Sequence, residues 1–341
     1  MPCNRAIKPS EQGAALLTVL LLVAILSVVT AVALDRLTLA SRMTRNIVAA
    51  DQGRAYMLTA EQMVSTLITD IVAVQPDRTT LQGGWLGRDQ TIAVPNGSVT
   101  ARIIDRGNCF NLNSLVSGAD NAGMPGDVGG EANLAARQAG IAQFAALMRL
   151  LGIDHGVALQ IATSAADWID TDVEPGNGGA EDAYYGGFSP AYRTANGLMA
   201  DSSELLMINA VTPDIYQRVR PWVCALPNSR MSPINVNTLL PGQAVLLAMI
   251  APDALGLDQA RDVLAQRPPQ GYGSVQNFWT QPAIARLGLA ASVTEQTVAK
   301  TRWFEVTIRA DLGGDIVEET VLIDAENKPA RLVRRQWGEA S

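Results

Sequence analysis

Read along the chain, apolar and polar positions change pattern several times. Ala14 to Leu34 is a run of 21 residues without a charge, preceded at once by Gly13. As a helix it would be about 32 Å long, enough to cross a bilayer core. Beyond Asp35 the apolar positions become periodic: Leu39, Met43, Ile47, then Ala60, Val64, Leu67, Ile68 and Ile71. No proline interrupts them before Pro76, so the spacing predicts one long helix, apolar all round in its first half and amphipathic in its second. Gly53 works against that continuity, since a mid-helix glycine costs about 1 kcal/mol.

Residues 75–96 are rich in glycine and proline, with a short strand at Thr91 to Val94. Ser98 to Asp105 then alternates, with Val99, Ala101 and Ile103 on one face. Trp303 to Ala310 and Val317 to Ile323 read as two more strands, and Arg331 to Trp337 as the last. Asp311, Gly313, Gly314 and Asp315 form a hairpin loop between the first two of these. Strands at both ends therefore pair across a large interior, which predicts an α+β fold with an insertion.

The interior reads as helical. Ile141, Phe144, Met148 and Leu151 form one amphipathic stripe, and Val157, Ile161, Ala165 and Trp168 another. The first stripe follows a loop rich in Gly, Asn and Asp at 117–130, and a polar loop at 171–187 follows the second. Short helices are expected at 200–209, where Asp201 and Glu204 have capping-box spacing, and at 241–249 and 257–266. An internal echo, Phe110-Asn-Leu-Asn-Ser-Leu115 and Ile234-Asn-Val-Asn-Thr-Leu239, is expected to open two related lobes, since Asn and Ser/Thr cap helix starts. Residues 260–267 with 271–275 look like a helix-hairpin-helix, a unit that either binds DNA backbone or packs protein. The expected organisation is 1–13 leader, 14–75 membrane and stalk helix, 76–110 with 301–341 as a small antiparallel sheet region, and 111–300 as a helical insertion.

Composition narrows the function. The net charge is −7, which disfavours nucleic acid as a partner. One histidine, His155, argues against an imidazole-based catalytic or metal site. Without a nucleophile–base constellation, the chain is not expected to be an enzyme. Of three cysteines, Cys3 lies in the leader region; Cys109 and Cys224 read as one disulfide or as two unrelated buried thiols.

The stretch that carries chemistry is DWIDTDVEPGNGGAEDAYY, from Asp167 to Tyr185. Asp167, Asp170, Asp172, Glu174, Glu181 and Asp182 place six carboxylates within 16 residues, with no Lys or Arg among them. Hard oxygen ligands on a glycine-bearing loop suit Ca²⁺, and the lack of thiolate or imidazole argues against zinc. A solvated acidic loop and a paired-carboxylate hydrolase site are the other readings. The expected calcium role is structural. Trp168 and Ile169 would pack into the lobe, with Tyr184 and Tyr185 anchoring the loop's far end.

The N-terminal stretch has three readings: an uncleaved signal anchor, a cleaved secretory signal, or a prepilin-type leader ending at Gly13 with the apolar run retained. Taken together, the Gly13–Ala14 junction, the two N-x-N elements, DWIDTD followed by GGAEDAYY, and Pro190, Tyr192, Arg193 and Asn196 ahead of Ser203-Glu204-Leu205 resemble the K-type minor pseudopilins of the type II secretion system. The resemblance covers nearly the whole chain. It implies a pilin-like body with a helical insertion of two lobes, of SAM or helix-hairpin-helix type, calcium held by the insertion, cleavage by a prepilin peptidase and N-methylation of Ala14. It implies a single-pass protein of the bacterial inner membrane with its C-terminal domain in the periplasm. The implied partners are minor pseudopilins I and J in a tip complex, with pseudopilin H, the major pseudopilin G and the inner-membrane assembly platform. Thr18 stands at the fifth mature position, where most pilin-like subunits carry Glu. An unpaired carboxylate in hydrocarbon is costly, so Thr fits a subunit with no neighbour above it. Two alternatives from other classes are a membrane-anchored helix-hairpin-helix DNA-binding protein and a signal-anchored calcium-dependent hydrolase.

Overall fold

The structure is a computed structural model, and it describes residues 9–117, 130–289 and 291–338. Residues 1–8 of the expected leader and most of the 117–130 loop lie outside the described residues. Helix α1 runs unbroken over Pro9–Val74. It begins inside the expected polar leader, because Pro9 suits a first helical turn and no later proline intervenes before Pro76. Its first half exposes Leu16, Leu20, Val23 and Leu34, so nothing in the body covers it. Its second half buries Met57, Ala60, Val64, Ile68 and Val72, a helical stripe laid on a sheet. Gly53 does not break the helix: it is buried, and a Cβ there would meet Val317 and Leu312 at ordinary contact distance.

After α1 come strands β1 (Asp89–Val94) and β2 (Gly97–Asp105). The insertion follows: β3 (Phe110–Asn111), α2 (Gly130–Leu150), α3 (His155–Ile169), α4 (Asp182–Tyr185), α5 (Pro213–Val219), β4 (Val223–Cys224), β5 (Ile234–Asn235), α6 (Ala244–Ala248), α7 (Leu257–Ala265), α8 (Val275–Trp279), α9 (Ala291–Gln296) and β6 (Thr297–Val298). The chain returns as β7 (Trp303–Leu312), β8 (Asp315–Asp324) and β9 (Arg331–Trp337). The fold is α+β. One antiparallel sheet has the order β1-β2-β7-β8-β9, with β2 paired to β7 across the whole insertion. Val99, Ala101 and Ile103 face α1 together with Val306, Ile308, Val321 and Ile323. The β7–β8 hairpin turns on two residues rather than the longer loop expected. Gly313 and Gly314 both have positive φ, 64° and 96°, which a tight turn between right-twisted strands requires.

Two features of the insertion have no counterpart in the sequence reading. β3 pairs with β4 in parallel, and β5 pairs with β6 in parallel, so each lobe is closed by a two-residue ladder. The N-x-N elements sit on the opening strand of each ladder. The outer asparagines, Asn111 and Asn235, turn the chain by accepting from Asn113 and Asn237 backbone N–H. The inner ones act as brackets to distant backbone. The Asn113 amide donates to the Met199 and Leu226 carbonyls and accepts from Met199 N–H; that of Asn237 donates to the Tyr272 carbonyl and accepts from its N–H. The two elements do open related lobes, but by buried cross-bracing more than by helix capping. Cys109 and Cys224 are joined by a disulfide beside the first ladder, with Cα atoms 5.9 Å apart.

Asp105, at the end of β2, ties the sheet to the second lobe. It is buried and accepts from the hydroxyls of Thr238 and Thr301, each at 2.5 Å, and from Gly107 N–H. Burial pushes its carboxyl up to about 6, against these hydrogen bonds.

Candidate metal centre

The site begins with α3. Asp154 caps it by accepting from Gly156 and Val157 N–H, and Ala158, Ile161, Ala162 and Ala165 bury its face in the lobe. That face carries Asp167 into the interior, while Asp170 ends the helix one turn later. The following loop turns back, and α4 starts directly after Glu181. One oxygen from each of Asp167, Asp170 and Glu181 lies within 4.8 Å of the others, and all three side chains are buried. Loop and helix approach so closely that a Cβ on Gly179 would fall 1.8 Å from Asp167 Oδ2, so this position excludes any side chain.

The six carboxylates separate into two sets. Asp172 and Glu174 are exposed, and Asp172 Oδ1 accepts from Glu174 N–H in a local turn. Asp182 points to Thr194, accepting from its N–H and hydroxyl at 3.0 and 2.9 Å. These three are not gathered with the others, because along the loop only Glu181 returns to the end of α3. Three polar partners escaped the sequence reading. Gly176 N–H donates to Asp167, Thr194 Oγ1 lies 3.5 Å from Glu181 Oε2, and Arg137 on α2 places Nη2 2.5 Å from Asp170 Oδ2 and 3.8 Å from Asp167 Oδ1. Arg137 could have been found: between Arg106 and Arg193 it and Arg149 are the only Lys or Arg residues in the sequence.

One guanidinium faces three buried carboxylates. Burial pushes Asp167 up to about 6, opposed by the Gly176 N–H, and Glu181 up to about 7, aided by Asp170 and Asp167. Asp170 is also raised by burial, with Arg137 acting against it. Asp170 Oδ1 and Glu181 Oε1 are buried without a hydrogen-bond partner. The group is therefore under-neutralised as it stands, and its donors are all hard oxygens. A cation with oxygens at roughly 2.4 Å spans up to about 4.8 Å between opposite ligands, and the three oxygens lie within that span of one another. The residues fit calcium.

An aromatic box backs the site. Trp168 meets Tyr185 edge-on at 5.5 Å, and its Nε1 donates to Glu204 Oε2. Tyr192 Oη donates to the Met207 carbonyl, and Asn196 N–H to the Trp168 carbonyl. Trp168, Ile169 and Tyr185 are buried, whereas Tyr184 is 45% exposed and bonds Asn209 instead of anchoring in the core. The helix-hairpin-helix reading rested on two arginines near α7 and α8, and both are engaged within the lobe. Arg261 pairs with Asp258, and Arg267 donates to the Val236 and Leu239 carbonyls. Among the other expected residues, Gly13 and Ala14 lie within α1, and Thr18 is exposed on it. Among the described residues, one helix is long and apolar enough to cross a membrane, and it is α1.

Two family models, both described as type II secretion system (T2SS), protein K, match residues 108–228 and 234–299. These spans coincide with the two ladder-closed lobes. Type II secretion system protein K of Aeromonas hydrophila is 33% identical over 332 residues, covering 97% of this chain and 98% of that one. The Klebsiella pneumoniae protein of the same name is 32% identical, covering 96% and 97%. Among solved structures, the GspK-GspI-GspJ complex from the enterotoxigenic Escherichia coli type 2 secretion system matches with a TM-score of 0.73 at 26% identity. That match covers 87% of this chain and 99% of that one.

Proposed function

The chain belongs to the type II secretion system protein K family and is a minor pseudopilin of that system, and from this premise we propose that it caps the tip of the pseudopilus. There it assembles with minor pseudopilins I and J, then with H and the major pseudopilin G, and so nucleates the filament that drives folded proteins across the outer membrane. The observation that supports this most is the combination of a 66-residue α1, exposed through its apolar half, with a body whose two lobes match the family. The apolar half anchors the subunit in the inner membrane, with the body in the periplasm, and later packs into the filament. Thr18 supports the tip position: a hydroxyl stands where the next subunit above would need a carboxylate to meet its amino group.

The calcium reading is part of this proposal. Asp167, Asp170 and Glu181 would hold the ion from within the first lobe, with Asp172, Glu174 and Asp182 at the periphery. The bound ion would supply positive charge and no reaction step. The chain's own residues set the rest: Gly176 N–H orients Asp167, Arg137 holds Asp170, and the Trp168–Tyr185 packing fixes the loop against the lobe. The role is structural, and no part of it is catalytic.

Processing tests the pseudopilin reading. The mature chain should begin at N-methylated Ala14 by mass spectrometry, and Gly13→Val should accumulate unprocessed protein and stop secretion. A mature chain beginning at Met1 or Pro2, or a processed and secreting Gly13→Val variant, would contradict it and favour a plain signal anchor.

A further inference from the structure

A second buried group of titratable side chains lies outside the acidic centre, where α1 packs on the C-terminal edge of the sheet. Glu61 comes from α1, Glu319 from β8 and Arg335 from β9. Glu61 is 2% exposed and Glu319 is 0% exposed. Arg335 grips Glu61 with two parallel bonds, Nε to Oε1 and Nη2 to Oε2, both 2.5 Å. The same Nε is 3.7 Å from Glu319 Oε2, too far for a hydrogen bond. Both oxygens of Glu319 are buried with no donor, and its carboxyl lies against that of Glu61. On β7, its cross-strand neighbour is the buried Ile308, which offers nothing polar.

Two carboxyls and one guanidinium share a buried site, and the guanidinium is already spent on Glu61. The charged groups acting on Glu319 are Glu61 from α1 and Arg335 from β9. Two like charges in one desolvated site do not both ionise readily; one retains a proton. A protonated Glu319 gains an O–H donor, and the Glu61 carboxylate beside it is the acceptor in reach. With one proton shared, Glu319 is neutral and bonded to Glu61; with none, it is an unpaired buried anion pressed against another.

We propose that Glu61, Glu319 and Arg335 form a proton-dependent clasp holding edge strand β9 to the stalk helix α1, closed while the two carboxyls share one proton and loosened when both ionise. β9 is the sheet element best able to give. Within the sheet it has a neighbour on one side only, a register shift between Leu322 and Ile323 already interrupts its pairing with β8, and its other tie is Arg334, which donates to the Ala200 and Ala225 carbonyls. Burial, then Glu61, pushes the Glu319 carboxyl up to about 7, with Arg335 opposing. Because the folded value lies above the ordinary glutamate value, the stabilisation is present at low pH and is lost as pH rises through about 7. The clasp therefore sets how firmly the body is carried on its membrane-derived stalk, and proton concentration outside the membrane would set the clasp.

The test uses the full chain in detergent micelles, with amide hydrogen exchange read by mass spectrometry from pH 5.5 to 8.5 and corrected for intrinsic rates. Protection of β9 amides should fall about tenfold or more between pH 6 and 8.5, while β1, at the opposite edge, stays flat. Glu319→Gln keeps the shape and an N–H donor toward Glu61, so its β9 should be flat with pH and better protected than wild type at pH 8.5. Glu61→Gln removes the like charge and frees Arg335 for Glu319, so the step near pH 7 should vanish. A flat wild-type β9, equal loss in β1 and β9, a Glu319→Gln variant less protected at every pH, or a step that survives Glu61→Gln would each overturn the clasp. A ¹³C carboxyl titration of Glu319 gives the same answer without reference to stability: a midpoint below 5 refutes it.

Discussion

Removing calcium from the wild-type chain should loosen the insertion, and the size of the effect follows from the geometry. Three carboxylates are buried within 4.8 Å of one another, and among the described residues Arg137 is the cation paired with them. A cation there binds the folded lobe and not the unfolded chain, so at a hundredfold excess over its dissociation constant it adds about 2.7 kcal/mol. Taking residues 108–299 as the cooperative unit, this raises the melting temperature by about 5–11 °C. The assay is a thermal melt of the full chain in detergent, in EGTA and then with excess calcium or magnesium. Calcium should restore the higher transition better than magnesium, which demands octahedral geometry and keeps its waters. Asp167→Asn should abolish the calcium shift and, in EGTA, be at least as stable as wild type, because an amide does not repel Asp170. Asp172→Asn, exposed in its local turn, should retain most of the shift. Superimposable melts with and without calcium, or a full shift in Asp167→Asn, would refute the reasoning and leave a salt-bridged acidic loop.

Two further outcomes follow from the junctions. Breaking the Cys109–Cys224 disulfide, by reduction or by replacing both with serine, should lower stability by up to about 4–5 kcal/mol, since it closes a loop with a sequence separation of 115. Urea titration of oxidised and reduced chains checks it, and equal midpoints would contradict it. Asp105 has a folded value of about 6, above its ordinary 3.8, so its carboxyl favours the fold at low pH and that contribution is lost as pH rises from about 4 through 6. The stability of Asp105→Asn relative to wild type should therefore climb by up to about 3 kcal/mol between pH 4 and 7, measured by denaturant unfolding at each pH.

What was legible in the sequence was what repeats with a period. Ala60, Val64 and Ile68 of the α1 stripe and the alternation of Val99, Ala101 and Ile103 gave helix and sheet because burial there follows 3.6- and 2-residue spacing. Leu39, Met43 and Ile47 of the same stripe stay exposed, since the sheet meets only the helix's later turns. The ladders at 110–111 with 223–224 and at 234–235 with 297–298 are two residues long, too short to carry any period. The N-x-N echo was visible, but its bracing role was not, because the partners Met199 and Tyr272 lie 86 and 35 residues away. The acidic loop was legible as a pool of charge. Its division was not: Asp167 and Asp170 are placed by a helix, Glu181 by the return of a loop, and Arg137 by a different helix altogether. Burial of carboxyls such as Glu61 and Glu319 left no trace in the sequence at all, since each reads as an ordinary polar position on an amphipathic element.

The most direct test of the account is assembly. The full-length chain, co-expressed with the I- and J-type pseudopilins of its own secretion system and extracted in detergent, should co-purify with both and elute from size exclusion as one three-protein complex. Elution of this chain apart from I and J, under conditions where those two remain folded, would contradict its place as the tip subunit.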